Sequence, residues 1–320
     1  MNTQYTTKGI GIFDWAEEEE KYNPKYSKMK NEKTKILLTG DKGFIGVHLK
    51  KKLKELKHKV YGFDIKTSPL EDVRNIFKVM NVFNKVKPDI VIHLAALTGV
   101  RESVKNPKGY YKTNVDGTKN IIERAKKSGV KKILFASSSS VYGNQKSPLK
   151  ERNVCDNQLS PYAKTKEIGE LLCASEASEK MPIIIFRPFT VYGENGRENM
   201  VIKKIIKAGQ KNKIFYKYGD GNSTRGYTNV HDLIDGIVKL VEYKPKDNLT
   251  ILNLGGAEVI KLNDLIEIVK NEFPNLKVEG VNRNSADVEN SFADISKAKR
   301  ILNWQPKRKF KKEIKKLCQI

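Results

Sequence analysis

The chain has 320 residues, 38% hydrophobic and 31% charged, a balance that predicts a globular α/β protein with a substantial core. No apolar run reaches the ~18–20 residues of a membrane span, and the acidic run 17–20 interrupts any signal-like pattern. The net charge of +24 raises nucleic-acid or membrane-surface binding. However, the basic residues are spread along the chain, clustering only at 50–59 and 307–316 on amphipathic segments without interleaved aromatics, so nucleic acid is not the expected partner.

Three widely spaced cysteines (Cys155, Cys173, Cys318) and four scattered histidines form neither a disulfide framework nor a metal-ligand pattern, and a cytoplasmic location is expected. Residues 1–34 are polar and read as a tail or surface arm. The first strand is predicted over 35–39, followed by Gly40-Asp41-Lys42-Gly43-Phe44-Ile45-Gly46 and a helix with Ile45, Leu49 and Leu53 on one face. A second strand, 60–64, ends in Asp64. Strand, Gly-rich turn, helix, strand and acid are the parts of a dinucleotide site. In that site Gly40 turns the chain, Gly43 admits a pyrophosphate and Gly46 lets helix and strand pack, with Phe44 and Ile45 opening the helix. Asp64, 18 residues beyond Gly46, is placed for a ribose 2′-hydroxyl and would repel a 2′-phosphate, so NAD is expected rather than NADP.

A helix is predicted over 70–84, with Asp72 and Val73 within reach of an adenine. The run 89–94 reads as a buried parallel strand leading into Leu94, Ala95 and Ala96, whose small alanines leave room for a cofactor. His93 is read as structural. A helix over 114–127 carries Asn114, and 132–136 is a further strand. Alternating strands and helices predict a doubly wound parallel sheet. The last strand runs into Ser137, Ser138, Ser139 and Ser140, at the carboxyl end where such sheets bind ligands.

Ser160 reads as an N-cap and Pro161 as the first helical residue. Tyr162 and Lys166, four residues apart, then share one helix face. A phenol of pKa ~10 is a poor base at neutral pH, and a nearby cation favours its ionised form. With Ser138 this makes a candidate acid/base set. Later signals are a helix over 233–241 with Asp232 as its cap and an amphipathic segment over 262–273.

Together, 39–46, Asp64, 93–96, 114–118, 137–143, Tyr162, Lys166 and 187–193 resemble the extended short-chain dehydrogenase/reductase family, nearest its nucleotide-sugar 4-epimerases and their glucuronate-acting branch. The resemblance implies a Rossmann-type domain over 35–190 and a smaller C-terminal α/β substrate-binding lobe over 191–320, with elements crossing between them. It implies bound NAD, a UDP-sugar substrate and a homodimer formed through helices near 109–127 and 161–178. By resemblance, Tyr162 is the base, Lys166 its partner and a nicotinamide-ribose ligand, and Ser138 the catalytic hydroxyl. Ser139 and Ser140 stand where related dehydratases carry Asp-Glu. Ser139, Ser140, Thr190 and Arg197 match residues around a sugar carboxylate, Arg225 a diphosphate ligand, and Arg283 a late substrate arginine. Alternatives are a UDP-glucose or UDP-N-acetylglucosamine 4-epimerase, a dehydratase or reductase, and a non-catalytic NAD- or RNA-binding scaffold.

Overall fold

The computed structural model describes residues 34–155, 157–282 and 288–320. The expectations for the N-terminal arm and for Arg283 lie outside the described residues.

The first half alternates strands and helices: β1 (Lys35–Thr39), α1 (Phe44–Glu55), β2 (Lys59–Phe63), α2 (Ile76–Val86), β3 (Ile90–His93), α3 (Val100–Lys105), α4 (Pro107–Tyr111), α5 (Gly117–Lys127), β4 (Lys132–Ala136), α6 (Pro161–Glu176) and β5 (Ile183–Pro188). The second half adds β6 (Val191–Tyr192), α7 (Val201–Gln210), β7 (Ile214–Tyr218), β8 (Thr224–Gly226), β9 (Thr228–Asn229), α8 (Val230–Glu242), β10 (Leu249–Leu254), β11 (Val259–Lys261), α9 (Leu262–Glu272), β12 (Lys277–Val281), β13 (Asn290–Ser291), α10 (Ser296–Leu302) and α11 (Phe310–Cys318).

Six strands form one parallel sheet in the order β10-β5-β4-β3-β1-β2. The central strands are apolar on both faces because helices cover both, as a parallel sheet requires. Ile36 and Leu38 of β1 pack with α1, α8 and Trp304. Leu37 of β1 faces the other way, onto Phe83 of α2 and Ile121 of α5. The chain leaves β1 for β2 on one side and returns to β3 on the other, so the switch point, where such sheets bind ligands, lies between β1 and β3. A smaller lobe forms around α7, α9 and α11, with the short sheets β11-β8-β13 and β12-β7. Residues beyond 190 are not confined to it: β10 is the outer strand of the large sheet, and α8 and α10 pack into the large core.

Two local expectations are corrected. The predicted helix over 70–84 starts only at Ile76, because Asp72 accepts the Arg74 amide in a turn and Asn75 caps the helix by accepting from the amides of Phe77 and Lys78. Phe77 is 71% exposed; the buried face is Val79, Phe83 and Val86. Asp232 is not the cap of α8. Asn229 is, accepting from the His231 amide, while the Asp232 carboxylate holds the amides of Lys307 and Arg308 and the Arg308 guanidinium. Among the described residues no helix is long and apolar enough to cross a membrane.

Candidate active site

The switch point is built by the Gly-rich turn. Gly40 has φ +73°, and a Cβ there would lie 2.7 Å from the Ala95 amide nitrogen, so the turn presses on the end of β3. A Cβ on Gly46 would lie 2.1 Å from the Gly40 carbonyl oxygen. Helix α1 therefore starts directly on the turn, and no side chain caps its N-terminus at Gly43. Its first amides and positive dipole end suit a pyrophosphate. Asp64 reaches the same turn: its carboxylate accepts the Lys42 amide at 2.9 Å and the Lys66 amide at 2.8 Å. After the buried strand β3, the side chains of Leu94, Ala95 and Ala96 are only half-buried, as are Phe44 and Ile45 after the turn, so apolar surface stays accessible there. These residues fit a dinucleotide.

Three expected cofactor contacts are otherwise engaged. The Asp72 carboxylate is clasped by Arg74, Nε at 2.8 Å and Nη2 at 2.5 Å, and Val73 is buried against Gly117. The Asn114 amide group spans the Leu97 backbone (N–H donating at 2.8 Å, carbonyl accepting at 2.9 Å) and the Thr165 hydroxyl at 3.0 Å. It braces the loop after β3 against α6 rather than facing the cleft. His93 lies between the hydroxyls of Thr39 and Thr118 at 2.7 and 3.1 Å. Burial and the Lys166 charge push its pKa down to about 3, and it is a structural wedge.

Helix α6 begins as its sequence predicts, with the Ser160 hydroxyl accepting from the Ala163 amide at 3.2 Å and Pro161 in the first turn. Tyr162 is half-buried at its start. Burial pushes its phenol up, while a hydrogen bond from Ser138 and the Arg197 charge pull it down. Lys166 is buried and donates to the Ala136 carbonyl at 2.7 Å. Burial brings its ammonium down to about 8, opposed by Cys173 and Glu170. Ser138 follows β4, and its oxygen accepts the Ser140 amide at 3.1 Å. Ser139 and Ser140 are half-buried on the next turn.

The rim is made of two facing loops. Arg197 is exposed and donates to the Thr98 hydroxyl. Asn199 donates to Glu102 at 2.6 Å. Behind them lies a cavity of about 290 Å³ whose walls include Arg101, Glu102, Arg197, Lys204, Tyr216 and Tyr218, with the Arg101 guanidinium 4.3 Å above the Tyr218 ring. Cationic groups beside aromatic faces suit a nucleoside diphosphate. Thr190 is half-buried, its carbonyl accepting from the Thr228 amide at 3.1 Å. Arg225 departs from expectation. Its guanidinium donates to the carbonyls of Thr224, Val288 and Glu289, so it ties the 288–291 segment to β8. A larger cavity, about 570 Å³, lies behind the 193–200 loop against Ile202, Ile206, Leu317 and Ile320 and contains none of the candidate residues.

Sequence reasoning missed the buried support. Tyr110 packs edge-on to Tyr162, ring centroids 6.3 Å apart, and its hydroxyl donates to the carbonyls of Thr98 and Gly99. Glu170 pairs with Arg187 at 2.6 Å in the interior. Arg187 stands over the Tyr142 ring at 4.7 Å, and Tyr142 donates to Asn253 at 2.7 Å. The one signal available was Glu170 itself, a further turn along the face of Tyr162 and Lys166.

Residues 36–255 match the family model described as the NAD dependent epimerase/dehydratase family. The chain is 40% identical over 238 residues to a UDP-glucuronate 4-epimerase of Thermodesulfobacterium geofontis, covering 73% of each chain. It is similar to the solved structure of UDP-glucuronic acid 4-epimerase from Bacillus cereus in complex with UDP-glucuronic acid and NAD, with TM-score 0.80, 29% identity, and coverage of 89% of this chain and 98% of that one. It is also similar to UDP-glucose 4-epimerase from Thermotoga maritima with UDP-glucose, with TM-score 0.83, 26% identity, and coverage of 89% and 97%. With the Gly-rich turn, the sheet order and these matches in agreement, the chain belongs to the NAD-dependent epimerase/dehydratase family.

Proposed function

We propose that this protein is an NAD-dependent UDP-sugar 4-epimerase and that its sugar is UDP-glucuronate. The observation that carries the reading is that Lys166 ties α6, which also bears Tyr162, to the end of β4, where Ser138 follows, with Arg197 among the charges that act on Tyr162. The Thermodesulfobacterium relative bears the same activity in its name, and the Bacillus cereus neighbour holds UDP-glucuronic acid and NAD.

When bound, NAD supplies a hydride acceptor for C4 and returns that hydride to the opposite face of the sugar. Gly40, Gly43 and Gly46 would seat its pyrophosphate on the end of α1, and Asp64 would take the ribose. Tyr162 removes the 4-hydroxyl proton as C4 is oxidised, and Ser138 hydrogen-bonds the same oxygen and stabilises the ketone. Lys166 anchors the nicotinamide ribose and keeps positive charge beneath the site. The 4-keto sugar turns about its diphosphate link, and Tyr162 gives the proton back to the new alkoxide. Arg101, Arg197 and Lys204 gather the diphosphate and the sugar carboxylate. Oxidised at C4, a hexuronate is a β-keto acid prone to losing CO₂. Bidentate bonding of its carboxylate by Arg197, with Thr190, Ser139 and Ser140, opposes that loss. Ser139 and Ser140, in place of an acid pair, leave no proton shuttle for dehydration.

A second reading, UDP-glucose, is favoured by one observation. Glu102 puts a carboxylate into the cavity beside Arg197, where it opposes an anionic sugar. Comparing kcat/KM for the two substrates decides: the proposal expects UDP-glucuronate to lead by at least tenfold, and UDP-glucose leading overturns it. The three cysteines are free, in keeping with a cytoplasmic enzyme. Exposed Tyr111 and Leu171 lie on the helices assigned to a homodimer, which light scattering on the purified protein tests.

A further inference from the structure

Glu170 is buried beneath the site, and no step above uses it. It lies one turn beyond Lys166, so Tyr162, Lys166 and Glu170 form a single stripe along α6. Three consecutive residues at the end of β4 meet that stripe. The Ala136 carbonyl accepts from Lys166 at 2.7 Å. The Ser137 hydroxyl donates to Glu170 Oε1. The next residue, Ser138, donates its hydroxyl to Ser140 Oγ at 3.1 Å and is one of the groups acting on the Tyr162 phenol. Arg187, on β5, closes the array from the next strand, Nε to Oε1 at 2.8 Å and Nη2 to Oε2 at 2.6 Å. The close approach is possible because Gly169 has no side chain: a Cβ there would lie 2.6 Å from Cζ of Phe135. A buried carboxylate is expensive unless its lone pairs are satisfied, and here the partners are the two strand ends that border the site.

We propose that Glu170 is a positioning residue which, through Ser137 and Arg187, fixes the register of strand ends β4 and β5 against α6 and so aligns Ser138 with Tyr162. This rests on the reading that Ser138 and Tyr162 act on one oxygen. The groups facing Lys166 and Glu170 are Tyr162 and Cys173 on α6, His93 on β3 and Arg187 on β5. Among them Glu170 supplies negative charge that supports the Lys166 ammonium. Removing that charge lowers the pH at which Lys166 loses its proton.

Two variants of the full-length protein test the proposal. Ser137→Ala leaves the Glu170–Arg187 pair intact. Its kcat is expected to fall about 10- to 100-fold, the cost of a small misplacement, with KM for UDP-glucuronate within about twofold and Tm lowered by the one lost hydrogen bond. Glu170→Gln, read per folded molecule, is expected to lower kcat further and to move the alkaline fall of activity to lower pH. Phenolate absorbance titration without sugar, taken as the difference from Tyr162→Phe, is expected to show Tyr162 ionising at higher pH in Ser137→Ala. Wild-type kcat and titration in Ser137→Ala, or an effect of Glu170→Gln confined to Tm, overturns the proposal. If the wild-type protein epimerises no UDP-sugar yet its Tyr162 titration still responds to Ser137→Ala, the functional reading fails and the positioning role stands.

Discussion

The two sides of the cleft are built differently. On the β4–α6 side, Ser138, Lys166, Glu170 and Arg187 are all buried, and the last three are held by hydrogen bonds across elements. On the rim, Arg197 and Asn199 are exposed, each latched across it by a side-chain hydrogen bond, to Thr98 and to Glu102. The difference separates two tasks. Groups that move protons need fixed geometry, and burial between two strands and a helix supplies it. Groups that choose a substrate must release their latches to bind it, and an exposed single contact costs little to break. Substitution on the inner side should therefore abolish chemistry, and substitution on the rim should change which sugar is used.

The largest expected effect is at the inner side. Tyr162→Phe should lower kcat by about 10²–10⁴-fold, the usual share of a placed acid/base, while NAD and UDP-sugar still bind by calorimetry. Next comes the rim. Arg197→Ala should lower kcat/KM for UDP-glucuronate by about 10- to 150-fold, the loss of hydrogen bonds to a charged group worth about 1.5–3 kcal/mol, and should lower it less for UDP-glucose, which loses only the Arg197 charge near Tyr162 and the diphosphate. An equal loss on both sugars would erase the division of tasks. Third, Gly46→Ala forces a Cβ to within 2.1 Å of a backbone oxygen. Overpacking of this kind costs about 1–3 kcal/mol, so NAD affinity by fluorescence titration should fall about 5- to 150-fold.

The smallest effect concerns pH and the sheet beneath the cleft. His93 stays neutral in the folded protein down to about pH 3, whereas the unfolded chain takes up its proton near pH 6.5. Between those values the unfolded state binds more protons, so stability is lost as pH falls, by up to about 1.4 kcal/mol per unit. Denaturant melts at pH 6 and pH 5 should show the wild type losing about 1 kcal/mol more than His93→Gln. Parallel losses in the two proteins would remove His93 as the source.

Much of the inner side is legible in the sequence because local signals carry it. Apolar runs mark β1 and β4, Gly40 and Gly46 mark the turn, and Ser160-Pro161 marks the start of α6. The parts that are not legible depend on distant partners. Glu170 shares the helix face of Tyr162 and Lys166, but nothing in the sequence names Arg187 as its partner until β5 is placed beside α6. Lys166 lies next to Tyr162 in helical spacing, yet its ammonium turns to Ala136, a strand the sequence cannot align with it. Asp72, Asn114 and Arg225 have the right residue type for ligand contacts, but the fold gives them to Arg74, to Leu97 with Thr165, and to the carbonyls of residues 224, 288 and 289. Residues 249–254 carry no mark that they return to the large sheet beside β5.

The central claim is that Tyr162 and Ser138 serve a transient oxidation at C4. The most direct measurement is NMR of purified protein incubated with UDP-glucuronate deuterated at C4. The expected result is UDP-galacturonate that keeps the deuterium at C4, with no net NADH. A product whose deuterium has exchanged with solvent, a stable keto sugar with NADH, or no epimer from UDP-glucuronate would contradict it.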